Sequence, residues 1–263
     1  MGARRLPLVF CLLAVVVVLG GCAVLDVPSS DPEPDPETVF EAAFVHGDDL
    51  VDVRGERTTT VTDGDETVTE VASVVERPYV EYRSEVLESS MAATAGDVYV
   101  SNATASWWYD PESNAASVYE VDEPHENEAV EAARADQAER QLERYDLEYL
   151  GTETVADRET YVLTVEAKDE VVEDGISVLV GDTEYVYALE TVDPADELVA
   201  LEQTIWIDAE YEYPLKEELV FEGPNGERKT MTERFEEVSF NNDLPDGTFA
   251  FEPAENVTVD EIE

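Results

Sequence analysis

The stretch "GTETVADRETYVLTVEAK", residues 151–168, carries Tyr161, Leu163 and Val165 at every second position. Successive side chains of an extended strand point to opposite faces, so a period of two puts these three on one face. The period recurs at Ile205 and Ile207, and again at Leu219 and Phe221. It also runs upstream. In "RGERTTTVTDGDETVTEVASVVERP" (residues 54–78), Asp63-Gly64 separates two Thr- and Val-rich runs, the pattern of a hairpin. "YVEYRSEVLE" (79–88) places Val80, Tyr82 and Val86 at alternating positions. "DVYVSNATASWWYDPESNAASVYEV" (97–121) gives further strands that turn at Asp110-Pro111 and Ser113-Asn114.

Two stretches carry helical signals instead. Asp35 as N-cap, Pro36 at the first helical position and Gly47 as a stop predict a short helix from Pro36 to His46, with Phe40, Ala43 and Phe44 on one face. From Glu126 to Tyr149, the residues Ala135, Ala138, Leu142, Tyr145 and Tyr149 fall at spacings of three and four, which predicts a long helix ended by Gly151. Residues 169–200 read as an added hairpin and loop. The expected class is α+β: antiparallel strands in one curved sheet covered by helices, a single body over residues 37–263.

Composition places that body in an unusual solvent. The chain of 263 residues holds 64 Asp and Glu against 15 Lys and Arg, a formal net charge of −49, while 43% of its residues are hydrophobic. An ordinary apolar content with strand periodicity assigns the charge to the surface of a folded domain rather than to disorder. Such a surface repels itself, and molar salt shortens the Debye length to about 3 Å. The chain therefore reads as that of a salt-loving organism, a haloarchaeon. Nucleic acid is excluded as a partner, since binding it needs Lys and Arg to neutralise phosphates.

The N-terminus reads as an export signal over residues 1–21. Arg4 and Arg5 form a positive start, Leu6–Leu19 an apolar run, and Leu19-Gly20-Gly21-Cys22 resembles a lipobox, in which cleavage before the cysteine leaves Cys22 to carry lipid. The alternative is an uncleaved signal anchor, because Leu6–Leu25 is uncharged and about as long as a membrane-spanning helix. Both readings put the body on the extracytoplasmic face of the cell membrane. Residues 22–36, with Pro28, Pro32, Pro34 and Pro36 among Ser and Asp, read as an acidic, semi-extended tether. Removal of residues 1–21 leaves one cysteine, so no internal disulfide is expected.

Three stretches resemble the LolA-like lipoprotein carrier superfamily. They are residues 151–168 with Gly151, Glu153, Arg158, Tyr161 and Leu163; "IWIDAEYEYPLKEEL" (205–219) with Trp206-Ile207-Asp208 and Pro214-Leu215-Lys216; and "FEEVSFNNDLPDGTFAFEPAENVTV" (235–259) with Phe235, Val238, Phe240, Asn241, Leu244-Pro245, Phe249, Phe251 and Pro253. The resemblance implies a strongly curved antiparallel sheet, an incomplete β-barrel, closed by helices over an apolar cavity that holds a lipid or the acyl chain of a lipoprotein, without catalysis. Attachment at Cys22 favours a fixed lipid-holding or sensing role over shuttling. The expected wall is Val80, Tyr82, Val86, Val100, Trp107, Tyr161, Leu163, Ile205, Ile207, Leu219 and Phe221, with Phe40, Phe44 and Leu142 on the helical lid. The competing reading keeps the barrel filled and makes the protein an envelope sensor that binds a partner protein.

Other constellations are weak. His46 and His125 are the only histidines, and "HENEAVE" at 125–131 lacks the second histidine of a zinc-protease helix. The sequence has no G-x-S-x-G elbow, P-loop or dinucleotide glycine pattern, so no enzyme, cofactor or metal is expected. Acidic runs such as "DGDET" and "DPADE" read as solvation rather than calcium loops. Trp107-Trp108-Tyr109 points aromatics to both faces of a strand, which leaves one tryptophan partly exposed. Asn102 and Asn256 open glycosylation sequons.

Overall fold

The computed structural model describes residues 33–91, 94–168, 177–180, 183–186, 199–222, 226 and 228–262. The signal residues Arg4, Arg5, Leu19, Gly20 and Gly21, Cys22, and the tether up to residue 32 lie outside the described residues. Helix α1 spans Pro36–Val45, and the Asp35 carboxylate caps it by accepting from the Thr38 N–H at 3.2 Å and the Thr38 hydroxyl at 2.8 Å. It buries Val39, Phe40, Ala43 and Phe44. Burying each phenylalanine is worth about 1.5–3 kcal/mol relative to leaving it in water.

Strands β1 (Val53–Asp63), β2 (Glu66–Arg77), β3 (Glu81–Ser89), β4 (Val98–Ser101), β5 (Ala105–Asp110) and β6 (Ala115–Glu120) follow. The β1–β2 hairpin closes with Asp63 opposite Glu66, at the turn read from Asp63-Gly64. After helix α2 (Asn127–Leu142) come β7 (Tyr145–Val155), β8 (Arg158–Ala167), β9 (Ser177–Val180), β10 (Thr183–Val186), β11 (Val199–Asp208), β12 (Pro214–Glu222), β13 (Arg228–Phe240) and β14 (Thr258–Glu261). Twelve strands form one open sheet in the order β14-β6-β5-β4-β3-β2-β1-β13-β12-β11-β8-β7, while β9 and β10 pair by themselves. Among the described residues every pairing is antiparallel except that of β14 with β6. The curl is strong, because β7 touches β13 although three strands lie between them in the sheet.

The long helix expected to Tyr149 stops at Leu142, and Tyr145 and Tyr149 belong to β7. Tyr145, Leu147 and Tyr149 also satisfy a period of two, and pairing opposite Ala167, Val165 and Leu163 of β8 decides between the periods. Lys168 closes the helix end by donating to the Leu142 and Glu143 carbonyls at 3.2 and 3.1 Å. Gly151 ends no helix. It forms a bulge in β7 at φ 114°, a conformation that favours glycine. Ala135, expected on the buried stripe of the helix, is exposed, whereas Ala138 and Gln141 are buried.

Candidate inner-face site

Residues opposite each other in an antiparallel ladder share a face. The register runs from Leu163 to Ile205, Glu217, Glu233 and Thr59. Two positions along β1 it passes from Arg57 to Ala72 and Val86. That shared face has three zones.

The first zone lies under the helices. Phe40, Phe44, Leu163, Ile205 and Ile207 are 0–1% exposed and pack together with Leu142, Leu147, Tyr149 and Tyr161 at the margin. The Phe40 and Phe44 rings meet edge to face at 5.1 Å. Burial also pushes the Tyr145 hydroxyl up to about 12. Of the expected wall and lid residues, Phe40, Phe44, Leu163, Ile205 and Ile207 form one packed cluster with Tyr161 and Leu142 at its margin, while Leu219 of β12, equally buried, lies outside it.

The second zone is polar. Glu217 is buried and accepts from the Gln203 side-chain amide; Glu233 pairs with Arg57 at 3.2 Å; and Arg57 donates to the Tyr82 hydroxyl at 3.1 Å. Beside them the Tyr213 hydroxyl donates to buried Glu76 at 2.7 Å. Burial pushes the Glu217 carboxyl well above the usual carboxylate range, and the Glu233 charge adds to this against the opposing effects of Gln203 and Arg57. A carboxyl whose pKa is raised by folding binds its proton more tightly in the native state. Its contribution is therefore full at low pH and declines as pH rises from the ordinary glutamate value through the raised one. Glu217→Gln should remove that decline and raise the denaturant midpoint at pH 8, with little change at pH 4. A variant whose midpoint falls equally at both pH values would contradict this assignment. Nothing in the sequence marks Glu217, one acid among 64.

The third zone is open. Beyond the polar cluster, across β3 to β6, a groove of about 350 Å³ is lined by Ser84, Val86, Tyr99, Trp108, Ala115 and Ser117, with Asp97 and Asp110 at one end. Tyr82, Tyr99 and Trp108 form an aromatic row over three adjacent strands, with ring centroids 5.8 and 5.2 Å apart. Trp108 is 45% exposed.

Several expected wall residues lie elsewhere. Val100 stands opposite Arg83 and Trp107, so both Val100 and Trp107 are on the other face from Tyr82. The pairing of Tyr99 with Ser84 and Trp108 fixes that parity. Trp107 packs on Phe251 of the C-terminal segment at 5.4 Å. Val80 sits in the turn before β3, not on a strand. Phe221 pairs with Ala200 in β12, and its side chain lies outside the described residues. Of the sequon residues, Asn102 uses its side-chain amide nitrogen on the Phe249 carbonyl at 3.0 Å, while Asn256 is exposed. His46 is buried between Tyr79 and Tyr213, and His125 is exposed. Among the described residues no cluster of His, Cys, Asp and Glu could hold a metal, and no helix is long and apolar enough to cross a membrane.

No protein-family profile matches the sequence, and no curated protein is similar to it in sequence. Solved structures do resemble the chain in fold. A LolA superfamily protein from Nitrosomonas europaea is 13% identical, covering 83% of this chain and 98% of its own, with a TM-score of 0.35. The lipoprotein LppX of Mycobacterium tuberculosis is 12% identical over 81% of this chain and 99% of its own, at a TM-score of 0.41. MucB in the Pseudomonas aeruginosa MucA/MucB complex is 12% identical over 82% of this chain and 59% of the neighbour, at 0.43.

Proposed function

We propose that this protein is a lipoprotein held on the extracytoplasmic face of the cell membrane of a salt-loving archaeon through Cys22, and that its open sheet binds the acyl chain of an amphiphile without catalysis. The observation that supports it is the groove over β3–β6, lined by Val86, Tyr99, Trp108 and Ala115, with Trp108 exposed and the other three half-buried. Its volume lies at the lower end of the range of small-molecule sites, about 300–1,000 Å³. Under the helices, Phe40, Phe44, Leu163, Ile205 and Ile207 pack on one another, a filling of that end by the protein's own side chains. That filling favours a second reading for the helical end, a rigid module that meets a partner protein.

Two measurements test the proposal. Cys22→Ser should lose the attached lipid and release the chain from the membrane, read by fractionation and mass; a variant that stays membrane-bound and uncleaved would favour the signal anchor over lipid attachment. The nonionic monoglyceride of dibromostearic acid, added to the protein in molar KCl, should quench tryptophan emission, and Trp108→Phe should abolish most of that quenching. Equal quenching in both proteins would place the acyl chain away from the groove.

A further inference from the structure

We infer that the groove over β3–β6 takes the cationic head of an amphiphile, an alkylammonium, seated on Trp108 and Tyr99 and facing Asp97 and Asp110. The inference rests on the amphiphile-binding reading of the same groove and adds the chemistry of the head.

The arrangement has two adjacent parts. Tyr99 and Trp108 face each other across β4 and β5 with ring centroids at 5.2 Å, and the Trp108 ring is open to solvent. Asp110 ends β5 two residues past Trp108, about 7 Å away at the usual strand rise, and Asp97 immediately precedes β4, two residues before Tyr99. Both carboxylates line the groove, so an ammonium on the aromatic faces has them within reach.

The two acids are not equivalent. Asp110 accepts from the Glu112 N–H at 2.7 Å, the Ser113 N–H at 3.1 Å and the Ser113 hydroxyl at 2.5 Å, bonds that hold its carboxyl below the usual range. Asp97 has a buried Oδ1 with no hydrogen-bond donor among the described residues. Burial, then the charges of Asp110 and Glu112, push the Asp97 carboxyl up. A cation in the groove would supply the charge that this oxygen lacks.

Charge selects the occupant. The residues lining the groove include no Lys or Arg, and Arg83 of β3 stands opposite Val100, on the other face. An anionic head would meet two carboxylates with only serine hydroxyls to offset them. A neutral head would leave Asp97 as it is. An inorganic cation would gain from the carboxylates but not from the aromatic pair or the apolar floor.

The test uses Pro34–Glu263, which forms a compact unit of its own, in molar NaCl with three probes of equal chain length below their micelle concentrations. These are decyltrimethylammonium, decyl maltoside and decyl sulfate, read by the part of the tryptophan emission that Trp108→Phe removes, since Trp107 and Trp206 also emit. Expected is binding of the cationic probe at least tenfold tighter than the nonionic one, with the sulfate weakest. The double variant D97N/D110N should bring the cationic-to-nonionic ratio near one while leaving nonionic binding unchanged. Because this removes only two of 64 acidic residues, general attraction to the acidic surface would survive it. Asp97→Asn alone serves as the second variant, since Asp110 also holds the turn at Pro111, and should lose most of the preference. Equal binding of cationic and nonionic probes would overturn the inference and leave the groove reading standing. Absence of any probe effect on Trp108 would overturn both. A preference that persists in the variants, or an arginine-rich peptide that binds where the ammonium probe does not, would also overturn the inference, the latter reassigning the groove to a protein partner.

Discussion

Phe44→Ala is expected to destabilise the domain by about 3–5 kcal/mol, the range for truncating a fully buried phenylalanine. Phe44 is 1% exposed, meets Phe40 edge to face, and sits in the cluster that joins α1 to Leu163 of β8 and Ile205 of β11. Equilibrium denaturation should be followed in molar KCl, where screening keeps surface repulsion from dominating the result. The magnitude discriminates between two roles for the same ring. A residue that filled the core loses its packing and leaves a cavity; a residue that lined an open ligand space loses far less. A cost below about 1 kcal/mol, with weakened acyl-chain binding, would return the ligand site to the helical end.

The second large effect concerns Asp208, at the end of β11 and within the Trp206-Ile207-Asp208 motif. Its carboxylate is fully buried and accepts from Arg158 at 3.0 Å, from the Glu210 N–H at 3.1 Å and from the Tyr211 N–H at 2.8 Å. Arg158 in turn lies against the Tyr211 and Phe240 rings, at 5.2 and 4.8 Å. Removing one partner of a buried pair usually costs about 3–5 kcal/mol because the other charge is stranded. Arg158 keeps Glu210 at 2.8 Å and some solvent, so Asp208→Ala should fall at the low end, about 3 kcal/mol. Asp208→Asn retains an acceptor and should cost less. If both variants cost the same, the ion pair carries the effect; if Asp208→Asn costs almost nothing, the backbone bonds of the β11–β12 connection carry it.

How far the sequence reveals this arrangement depends on whether each signal is local. Helix α1 is legible because Asp35, Pro36 and Gly47 are next to it in the chain, and its buried face follows from Phe40, Ala43 and Phe44. The hairpins at Asp63-Gly64 and Asp110-Pro111 are legible for the same reason. The end of α2 is not, since Tyr145 and Tyr149 fit both helical and strand spacing and only pairing with β8, itself later in the chain, selects the strand.

The site shows the same division. Trp107-Trp108 announces that one indole is exposed, yet which one depends on the parity with which β5 meets β4. That parity also sends Val100 to the face covered by Phe251 rather than to the groove. The polar cluster of Glu217, Gln203, Glu233 and Arg57 was invisible for a different reason. Its members come from three consecutive strands and from β1, near the other end of the chain, and in so acidic a sequence no single glutamate stands out.

The most direct measurement is of what the protein already holds. The chain should be purified at high salt from a salt-loving host, extracted with organic solvent and its bound lipids identified by mass spectrometry, beside Trp108→Ala and an unrelated acidic protein. Expected is one amphiphile in near-stoichiometric amount, enriched over the unrelated protein and depleted in the variant. No enrichment over the unrelated protein, or a lipid retained equally by the variant, would contradict a ligand site in the groove.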